Sequence, residues 1–457
     1  MQREYVEDWS GKRVAVIGLG ISNVALIRFL IGAGAIVSGR DRKTESELGE
    51  RFQDLQSLGI ELVLGPSYLE DITSFDAVVV SPGVPKDLPE LKEAANRGLV
   101  TSEIAMVFRY SQGPIYGITG SSGKTTTTSL VGEILKESGL QAIVGGNIGV
   151  PLINQIGQVR SGDRVVLELS SFQLEGLRQS PHGAVITNIT QNHLDVHHTM
   201  ENYISAKQNI YRHQTADDFL VLNYDDPITR AMAKEASGRV FFFSLTTEVN
   251  PGAYVDGDDL VYAEGTERRV FAQRSKLSLP GKHNVANYLA ATLLSYGAGA
   301  SLEAACRVGQ NFSGVPHRLE FVGEIKGVRY YNDSIATTPD RTMAALESFD
   351  APLILIAGGS DKQLSYEELG KTVAGRVKRL ILLGTTAPKI RQAVLAQGGV
   401  TINEVENLEE AVVLAYDLGE SGDIVLLSPA SASFDQYENF MARGAHFRNL
   451  VARLSKE

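Results

Sequence analysis

The chain has 457 residues, of which 43% are apolar and 21% charged, a composition typical of a globular protein with two or three domains. Its net charge of −11 argues against nucleic acid or a membrane surface as a partner, because both require a basic surface. One cysteine, Cys306, excludes an internal disulfide framework, and the polar start without long apolar runs predicts no signal peptide, no membrane insertion and a cytoplasmic location.

A nucleotide-binding turn is predicted close to the start of the chain. The apolar run Arg13–Gly18 is followed by the sequence GLGISN and then by a helical pattern, in which Asn23 stands where a dinucleotide fingerprint has its third glycine. Asp41 lies 23 residues after Gly18, about where Rossmann folds place an acidic group near a ribose. Three interpretations stay open for this turn: a bound nucleotide, a nicotinamide or flavin site, and a close-packed turn without a ligand.

A further strand is predicted at Phe75–Ser81, and the Pro82-Gly83 loop after it lies where open parallel sheets bind their ligands. This first unit closes near residue 110.

The stretch Gly117–Thr128 (GITGSSGKTTTT) predicts a phosphate-binding loop between a strand and a helix. Glycines allow backbone N–H groups to close around phosphate oxygens, Lys124 supplies a cation, and the Thr125 hydroxyl can bind Mg²⁺. The glycine that precedes the lysine by four residues, Gly120, makes this loop shorter than the common P-loop. The alternative is an ordinary turn rich in glycine, serine and threonine.

Acidic and histidine side chains follow the next apolar runs. Glu168 ends one such run, and a buried carboxylate there requires a cation or hydrogen bonds, which makes it a candidate Mg²⁺ ligand. Three of the eight histidines fall within the sequence HLDVHH that starts at His193, and they are either metal ligands or solvated side chains. Lys207 follows in a helical stretch, where an exposed lysine is the default expectation.

The chain then predicts a small β insertion at Phe241–Leu279, whose orientation the sequence leaves open. Asn284 and Asn287 share one face of the next helix and either bind a nucleotide or cap the helix. A third α/β unit starts near Val315, with strands at 353–357, 380–383 and 424–427.

Three functional classes are compatible with this organisation. The first is a ligase that uses ATP to activate an acid, the second a P-loop switch or motor, and the third a nucleotide-linked oxidoreductase. A guanine-reading Asn-Lys-x-Asp motif is absent from the sequence, and the oxidoreductase leaves Lys124 and Thr125 unexplained.

The motifs in their order resemble the bacterial Mur ligases over nearly the whole chain. They include SPGVP, GITGSSGKTTT, GGNIG, LELSSFQL, NITQNHLDVH, AKQNIY, GKHNVANYLAA, PHRLE, YNDSIATTP, AGGSDK and LLSPASASFDQYENFMARG. The resemblance implies an α/β protein with three domains: a Rossmann-like UDP-substrate domain at 1–110, a central P-loop ATP domain at 111–314 and a Rossmann-like amino-acid domain at 315–457. It implies an ATP- and Mg²⁺-dependent enzyme of peptidoglycan precursor synthesis that joins D-glutamate to UDP-N-acetylmuramoyl-L-alanine through an acyl phosphate.

The resemblance also assigns residues to roles. The catalytic residues it implies are Lys124, Glu168, His193 and Lys207, and the ligands of two Mg²⁺ ions are Thr125, Glu168, His193 and Lys207, the last as a carbamate. The ATP-binding residues are Gly120, Ser121, Ser122, Gly123, Lys124, Thr125, Thr126, Asn284, Asn287, Arg318 and Asp333. The UDP side is lined by Ile21, Ser22, Asp41, Arg42, Ser81 and Asn147. The amino acid is held by Lys362, Ser433 and Phe440, with Thr337.

The sequence departs from the family pattern at Ile335, where many members have lysine. An aliphatic side chain cannot bind an anion by charge, so Lys362, Arg341 or Thr337 takes that role, or the glutamate pocket differs. L-glutamate is therefore the main alternative amine.

Overall fold

The computed structural model describes residues 8–146, 151–349, 351–362 and 364–455. The chain forms two compact units, one of Met1–Lys276 with Ala286–Gln310 and the other of Leu277–Val285 with Asn311–Glu457. The first unit contains two β-sheets and the second contains one. No helix in the described part of the chain has both the length and the apolar character needed to cross a membrane.

The first sheet has five parallel strands in the order β3-β2-β1-β4-β5. The strands are β1 (Arg13–Ile17), β2 (Ile36–Asp41), β3 (Glu61–Leu64), β4 (Ala77–Val80) and β5 (Val100–Thr101). The helices of this part are α1 (Ile21–Gly32), α2 (Glu45–Leu48), α3 (Glu50–Gln56), α4 (Pro89–Asn96) and α5 (Glu103–Tyr110). The order of the strands reverses between β1 and β4, which is where open α/β sheets bind ligands.

The burial of strand β1 on both faces explains why its sequence is a continuous apolar run. Successive side chains of a strand point to opposite faces of the sheet. Val14 and Val16 pack into one hydrophobic core, and Ala15 and Ile17 pack into another. Burial on both faces is typical of parallel sheets covered by helices, and it removes the polar alternation of a half-exposed strand.

The second sheet has nine strands in the order β14-β13-β12-β11-β10-β9-β6-β8-β7. The strands are β6 (Ile115–Thr119), β7 (Ala142–Gly146), β8 (Arg164–Glu168), β9 (Gly183–Ile186), β10 (Phe219–Asn223), β11 (Arg239–Ser244), β12 (Gly252–Asp256), β13 (Asp259–Glu264) and β14 (Glu267–Gln273). The helices are α6 (Lys124–Glu137), α7 (Ser171–Leu174), α8 (Leu194–His197), α9 (Met200–Gln208), α10 (Pro227–Met232), α11 (Lys282–Gly297) and α12 (Leu302–Asn311).

The β insertion predicted after residue 241 forms one edge of this second sheet. Strands β12, β13 and β14 pair antiparallel, whereas the strands from β7 to β12 pair parallel. The structure therefore supplies the orientation that the sequence left open: the insertion extends the sheet instead of forming a separate layer.

The third sheet lies in the second unit and has the strand order β15-β16-β20-β17-β18-β19. The strands are β15 (Glu320–Ile325), β16 (Val328–Asn332), β17 (Leu353–Gly358), β18 (Val377–Leu383), β19 (Thr401–Glu404) and β20 (Ile424–Leu427). The helices are α13 (Pro339–Leu346), α14 (Glu367–Arg376), α15 (Ala387–Leu395), α16 (Leu408–Leu418) and α17 (Phe440–Leu454). Only β15 and β16 pair antiparallel among these strands of the described chain. The predicted α/β fold with a parallel layer in each unit is confirmed.

Candidate active site

The predicted phosphate-binding loop connects β6 to α6. All five residues of β6 are buried, and α6 begins at Lys124 with Gly123 as its N-cap at φ 79° and no side chain capping it. The first amide N–H groups of a helix have no acceptor within the helix, and the aligned peptide dipoles add partial positive charge there. The first turn of α6 thus offers hydrogen-bond donors and positive potential suited to phosphate oxygens.

Two glycines of this loop have no room for a side chain. Gly120 has φ 149°, and a Cβ atom on it would lie 3.2 Å from the Cβ of Thr187 and collide with the hydroxyl of that residue. A Cβ atom on Gly123 would overlap the side-chain amide of Asn287. Glycine is therefore required at both positions because the loop packs closely against Thr187 and Asn287. The compact glycine-rich loop and the N-terminus of α6 after it fit the polyphosphate of ATP.

The two serines of the loop fix it to the segment after β9. The Ser121 amide donates to the Asn188 carbonyl at 2.9 Å, and the Ser122 amide donates to Asn188 Oδ1 at 3.0 Å. Thr187 Oγ1 in turn donates to the Ser122 carbonyl at 2.6 Å. These two amides already have acceptors in the protein, so the first helical turn of α6 is the part of this region best suited to donate to phosphate oxygens.

Thr187 and Asn188 were missed by the sequence analysis. Two signals could have found them: both follow the apolar residues of β9 and therefore stand at the carboxyl edge of the sheet, and Asn188 begins the motif NITQNHLDVH.

Two lysines converge on the start of the loop. Lys124 Nζ donates to the Gly120 carbonyl at 2.9 Å, and Lys207 Nζ donates to the same carbonyl at 2.9 Å and to Thr119 Oγ1 at 3.2 Å. Lys207 is only 1% exposed, contrary to the default expectation for a lysine on a helix. Burial, followed by the charge of Lys124, holds the Lys207 pKa well below its ordinary value, and Glu168 opposes this effect. The Lys207 amine is thus disposed to be neutral.

Glu168 is the last residue of β8, and it is 2% exposed. In the parallel pairing of β6 and β8, Glu168 lies opposite Ile118, two residues before Gly120, and its charge acts on Lys207. Ser170 then caps α7, with its hydroxyl accepting from the Gln173 amide at 3.2 Å. A strand end and a capped helix start therefore hold the carboxylate beside the phosphate-binding loop.

The histidine cluster has two exposed members, His193 and His198, and one buried member, His197. His193 has φ 54°, lies exposed at the N-cap of α8, and meets the Phe172 ring edge-on at a centroid distance of 5.1 Å. His197 is buried, and its ring stacks on the Phe172 ring at a centroid distance of 5.0 Å. Its Nε2 atom is hydrogen-bonded to Ser171 Oγ at 2.9 Å. Burial lowers the His197 pKa, so this ring is a neutral packing partner, whereas His193 is accessible to a metal ion.

The metal ligands predicted from the resemblance do not form a complete protein site. Among the residues that the structure describes, no three His, Cys, Asp or Glu side chains are grouped closely enough to hold a metal ion. Mg²⁺ commonly keeps several waters and binds through one or two carboxylates and the substrate's phosphates. Glu168, the Thr125 hydroxyl and His193 stay predicted ligands of a Mg²⁺ ion that would arrive with the nucleotide.

In the first sheet, the described residues predicted to line the UDP side lie at the carboxyl ends of β2 and β4, near the switch point between β1 and β4 where the strand order reverses. Asp41 accepts from the backbone amides of Leu19 at 2.7 Å and Lys43 at 3.0 Å, so it fixes the turn after β1. Ser81 packs on Gly18, where an added Cβ atom would lie 2.8 Å from the Ser81 Cβ. Arg42 is exposed beside them. The side chains of Ile21 and Ser22, and all of Asn147, lie outside the described residues.

Asn23 and Lys86 have structural roles that the sequence analysis did not assign. The Asn23 amide donates to the carbonyls of Ile17 at 3.2 Å and Gly18 at 2.8 Å, which closes the turn where a third glycine was expected. Lys86, in the loop after β4, donates to the carbonyls of Phe172 at 2.8 Å and Glu175 at 2.7 Å. The loop at the switch point of the first sheet is thereby tied to α7, which follows Glu168.

The remaining predicted site residues lie in the second unit. The Asn284 side-chain amide donates to the Pro280 carbonyl at 2.6 Å, which ties the first turn of α11 to the preceding loop. This bond is not a helix cap, because a cap accepts from a first-turn N–H group. Burial raises the Asp333 pKa to about 7, while the hydrogen bond from Ser428 at 2.7 Å and the charge of Arg318 oppose the rise. Lys362 Nζ donates to Thr337 Oγ1 at 3.3 Å, and the Phe440 carbonyl accepts from Ser334 Oγ at 2.8 Å. Ser433, also predicted to hold the amino acid, is buried.

Comparison with known proteins identifies the family. Residues 12–102 match the Mur ligase MurD-like N-terminal domain, 118–295 the Mur ligase middle domain, and 317–431 the glutamate ligase domain of Mur ligases. A protein of Symbiobacterium thermophilum named UDP-N-acetylmuramoylalanine–D-glutamate ligase is 48% identical over 451 residues, which cover 97% of this chain and 98% of that protein. The chain belongs to the Mur ligase family.

Other relatives of this Mur ligase agree with the assignment. A protein of Acetivibrio thermocellus with the same name is 45% identical over 96% of both chains. The solved UDP-N-acetylmuramate–alanine ligase of Thermotoga maritima has a TM-score of 0.57 at 19% identity and covers 97% of this chain and 99% of its own. A pseudomurein peptide ligase type C of Methanothermus fervidus has a TM-score of 0.56 at 20% identity, covering 97% and 100%. These two structures show a shared fold.

The domain boundaries predicted at residues 110 and 314 fall in the gaps between the matched segments. They stay predictions, as do the roles of the individual site residues. The structure brings Gly120, Lys124, Glu168, Lys207 and Asn287 together in the first unit of this Mur ligase. Asn284, Arg318 and Asp333 belong to the second unit, so their contact with ATP remains a prediction.

We expect Gly120→Ala to destabilise the Mur ligase and to lower its affinity for ATP. The methyl group meets Thr187 at a backbone conformation that only glycine adopts readily, and such overpacking costs about 1–3 kcal/mol of unfolding free energy. The measurements are chemical denaturation and ATP binding by calorimetry. Gly162→Ala is the matched control, because an added Cβ there meets nothing within 4 Å. Equal stability and affinity in both variants would contradict the close contact at Gly120.

Proposed function

We propose that this Mur ligase joins D-glutamate to UDP-N-acetylmuramoyl-L-alanine, with ATP as the phosphate donor. The loop between β6 and α6, with Lys124, Lys207 and Glu168 gathered on it, is the observation that carries the proposal. Curated relatives at 43–48% identity over nearly the full chain are named as this ligase. The reaction belongs to peptidoglycan precursor synthesis, and we place it in the cytoplasm because ATP and UDP-linked sugars are found there.

The chemistry needs charge compensation and positioning instead of a nucleophilic side chain of the protein. The substrate carboxylate attacks the γ-phosphorus of ATP, the bond to the β-phosphate oxygen breaks, and an acyl phosphate and ADP form. The glutamate amine then attacks the acyl carbon, loses a proton, and displaces inorganic phosphate from a tetrahedral intermediate. Both steps are accelerated when the reactants are aligned in a preorganised polar site.

The loop region binds and neutralises the phosphates in the first step. The first-turn amides of α6 bind phosphate oxygens, and Lys124 neutralises charge on the β- and γ-phosphates. A bound Mg²⁺ would add further neutralisation of phosphate charge, with Thr125, Glu168 and His193 as the residues that would hold it. In the second unit, Arg318 and Asp333 are proposed to contact ATP, and Thr337, Lys362, Ser433 and Phe440 to hold the amino acid.

Lys207 is proposed to act as a carbamate. A neutral lysine amine is the form that adds to CO₂, and the depressed Lys207 pKa favours that form. The product is an anion, which two positive neighbours would stabilise: Lys124 and the metal ion. We therefore propose that modified Lys207 supports a second Mg²⁺ ion.

The proposal is tested by supplying one amine at a time. The protein is incubated with ATP, Mg²⁺ and UDP-N-acetylmuramoyl-L-alanine, either D- or L-glutamate is added, and the product is read by mass spectrometry. We expect a product one glutamyl residue heavier with D-glutamate. Product only with L-glutamate would support the alternative raised by Ile335, and strong ATP hydrolysis without any acid substrate would indicate a P-loop switch instead.

A further inference from the structure

Arg341 places a positive charge beside the segment predicted to hold the amino acid. It lies in the first turns of α13, is exposed, and donates from Nη1 to the Ile335 carbonyl at 3.3 Å. The Lys362 ammonium donates to Thr337, which lies two residues after Ile335 in the same segment. The two solvent-facing cations therefore flank the segment 335–337 from different elements.

A third cation lies beneath them but is fully engaged. Arg443 is 2% exposed and donates to Ser334 Oγ at 3.0 Å and to the carbonyls of Ser334, Ala432 and Ser431 at 2.9–3.2 Å. All three guanidinium nitrogens have neutral oxygen acceptors. Arg443 thus joins Ser334 to Ser431 and Ala432, and Arg341 and Lys362 are the two solvent-facing cations beside this junction.

Carboxylates act electrostatically on this group of cations, Asp435 on Arg443 and Asp333 on Arg341. Within the described residues, neither Arg341, Lys362 nor Arg443 forms an ion pair with a carboxylate, although such pairs occur elsewhere in this unit. Burial lowers the Lys362 pKa, and the charges of Arg341 and Arg443 lower it further, which shows that the cations act on one another. The nearest buried acid, Asp333, is held by Ser428 and has a raised pKa, so it is a weak counter-ion.

Arg341 and Lys362 are two cations without an ion-paired carboxylate in the described residues, and such a pair is suited to bind an anion. A glutamate carries two carboxylates. We propose that Arg341 is a specificity-determining residue that binds one carboxylate of the incoming amino acid, in place of a lysine at position 335. The inference rests on the proposed function, because the ligand is the amine substrate of that reaction. A guanidinium presents a planar fork that matches a carboxylate, which an aliphatic Ile335 cannot do.

The test compares Arg341→Met with the wild-type enzyme under steady-state conditions. We expect the KM for D-glutamate to rise about 10- to 100-fold, the range for loss of a hydrogen bond between charged groups. The KM values for ATP and for UDP-N-acetylmuramoyl-L-alanine should stay within about twofold of wild type. Arg341→Lys should give an intermediate KM for D-glutamate, because it keeps the charge and loses the fork.

A partial reaction separates binding of the amine from damage to the fold. Without amino acid, hydroxylamine should trap the acyl phosphate equally well in Arg341→Met and in wild type, since this step precedes entry of glutamate. Arg376→Met is the matched control, an exposed arginine at the end of α14, and should leave every KM unchanged. The double variant Ile335→Lys/Arg341→Met should recover at least part of the affinity for D-glutamate.

Two outcomes overturn the inference and leave the proposed function intact: an unchanged KM for D-glutamate in Arg341→Met, or a loss of acyl-phosphate trapping equal to the loss of ligation. If the wild-type enzyme itself produces no glutamyl product, the proposed function fails instead.

Discussion

Lys124→Ala is expected to lower kcat/KM for ATP-dependent ligation by about 10²–10³-fold or more, the typical effect of removing one preorganised charge-stabilising group. The side chain extends from the first residue of α6 and lies over the carbonyls of Gly120 and Ser121, which places its charge at the phosphate-binding loop. The measurements are phosphate release and product mass under saturating Mg²⁺.

The matched control for Lys124 is Lys136→Ala, which removes the same charge from the last turn of the same helix. Lys136 is exposed and far from the loop along α6, so turnover should stay near the wild-type value. Thermal unfolding of both variants shows whether the fold is retained. Near-normal turnover of folded Lys124→Ala would rule out the phosphate role of this lysine.

Lys207→Ala is expected to be almost inactive and to regain activity when short-chain carboxylic acids are added. The buried lysine has a depressed pKa and lies beside the loop without an ion-paired carboxylate in the described part of the chain. If its functional form is a carbamate, alanine leaves a space into which acetate or propionate brings the missing carboxylate. The assay is ligation measured against the concentration of added acid.

Two controls make the rescue informative. Lys234→Ala, which removes an exposed lysine, should be fully active and insensitive to the acids. Depleting dissolved CO₂ should lower the activity of wild type and leave acetate-rescued Lys207→Ala unaffected. If no acid restores Lys207→Ala although the variant is folded, the carbamate proposal is wrong and the lysine acts as an amine.

The main elements of the site could be predicted because each is encoded locally. A buried strand, a glycine-rich turn and a helix start occupy consecutive residues around Gly120 and Lys124, and their periodicity changes visibly along the sequence. The same holds for Glu168 at the end of an apolar run. Three strands of the second unit, β17, β18 and β20, were predicted from their short apolar runs, with β17 and β20 nearly to their bounds. The strands β15, β16 and β19 carry exposed or partly exposed polar residues and were not predicted.

What could not be predicted depends on contacts between distant residues. Asn188 accepts from two loop amides that precede it by more than sixty residues, and no local pattern records this pairing. The burial of Lys207 also results from packing, because its helix is otherwise typical of a surface helix. His197 and His193 have similar sequence surroundings, and only the three-dimensional contacts with Phe172 and Ser171 distinguish the buried ring from the exposed one.

The close fit of the phosphate-binding loop against Thr187, Asn188 and Asn287 also has a thermodynamic consequence. Two separate parts of the chain, residues 187–188 and Asn287, hold the loop, so nucleotide binding does not have to order it. Because loss of conformational entropy is one of the main costs of association, a loop already in its final shape keeps that cost low. The entropy change on binding ADP should therefore come mainly from water and counter-ions released from the phosphates, with little contribution from the backbone.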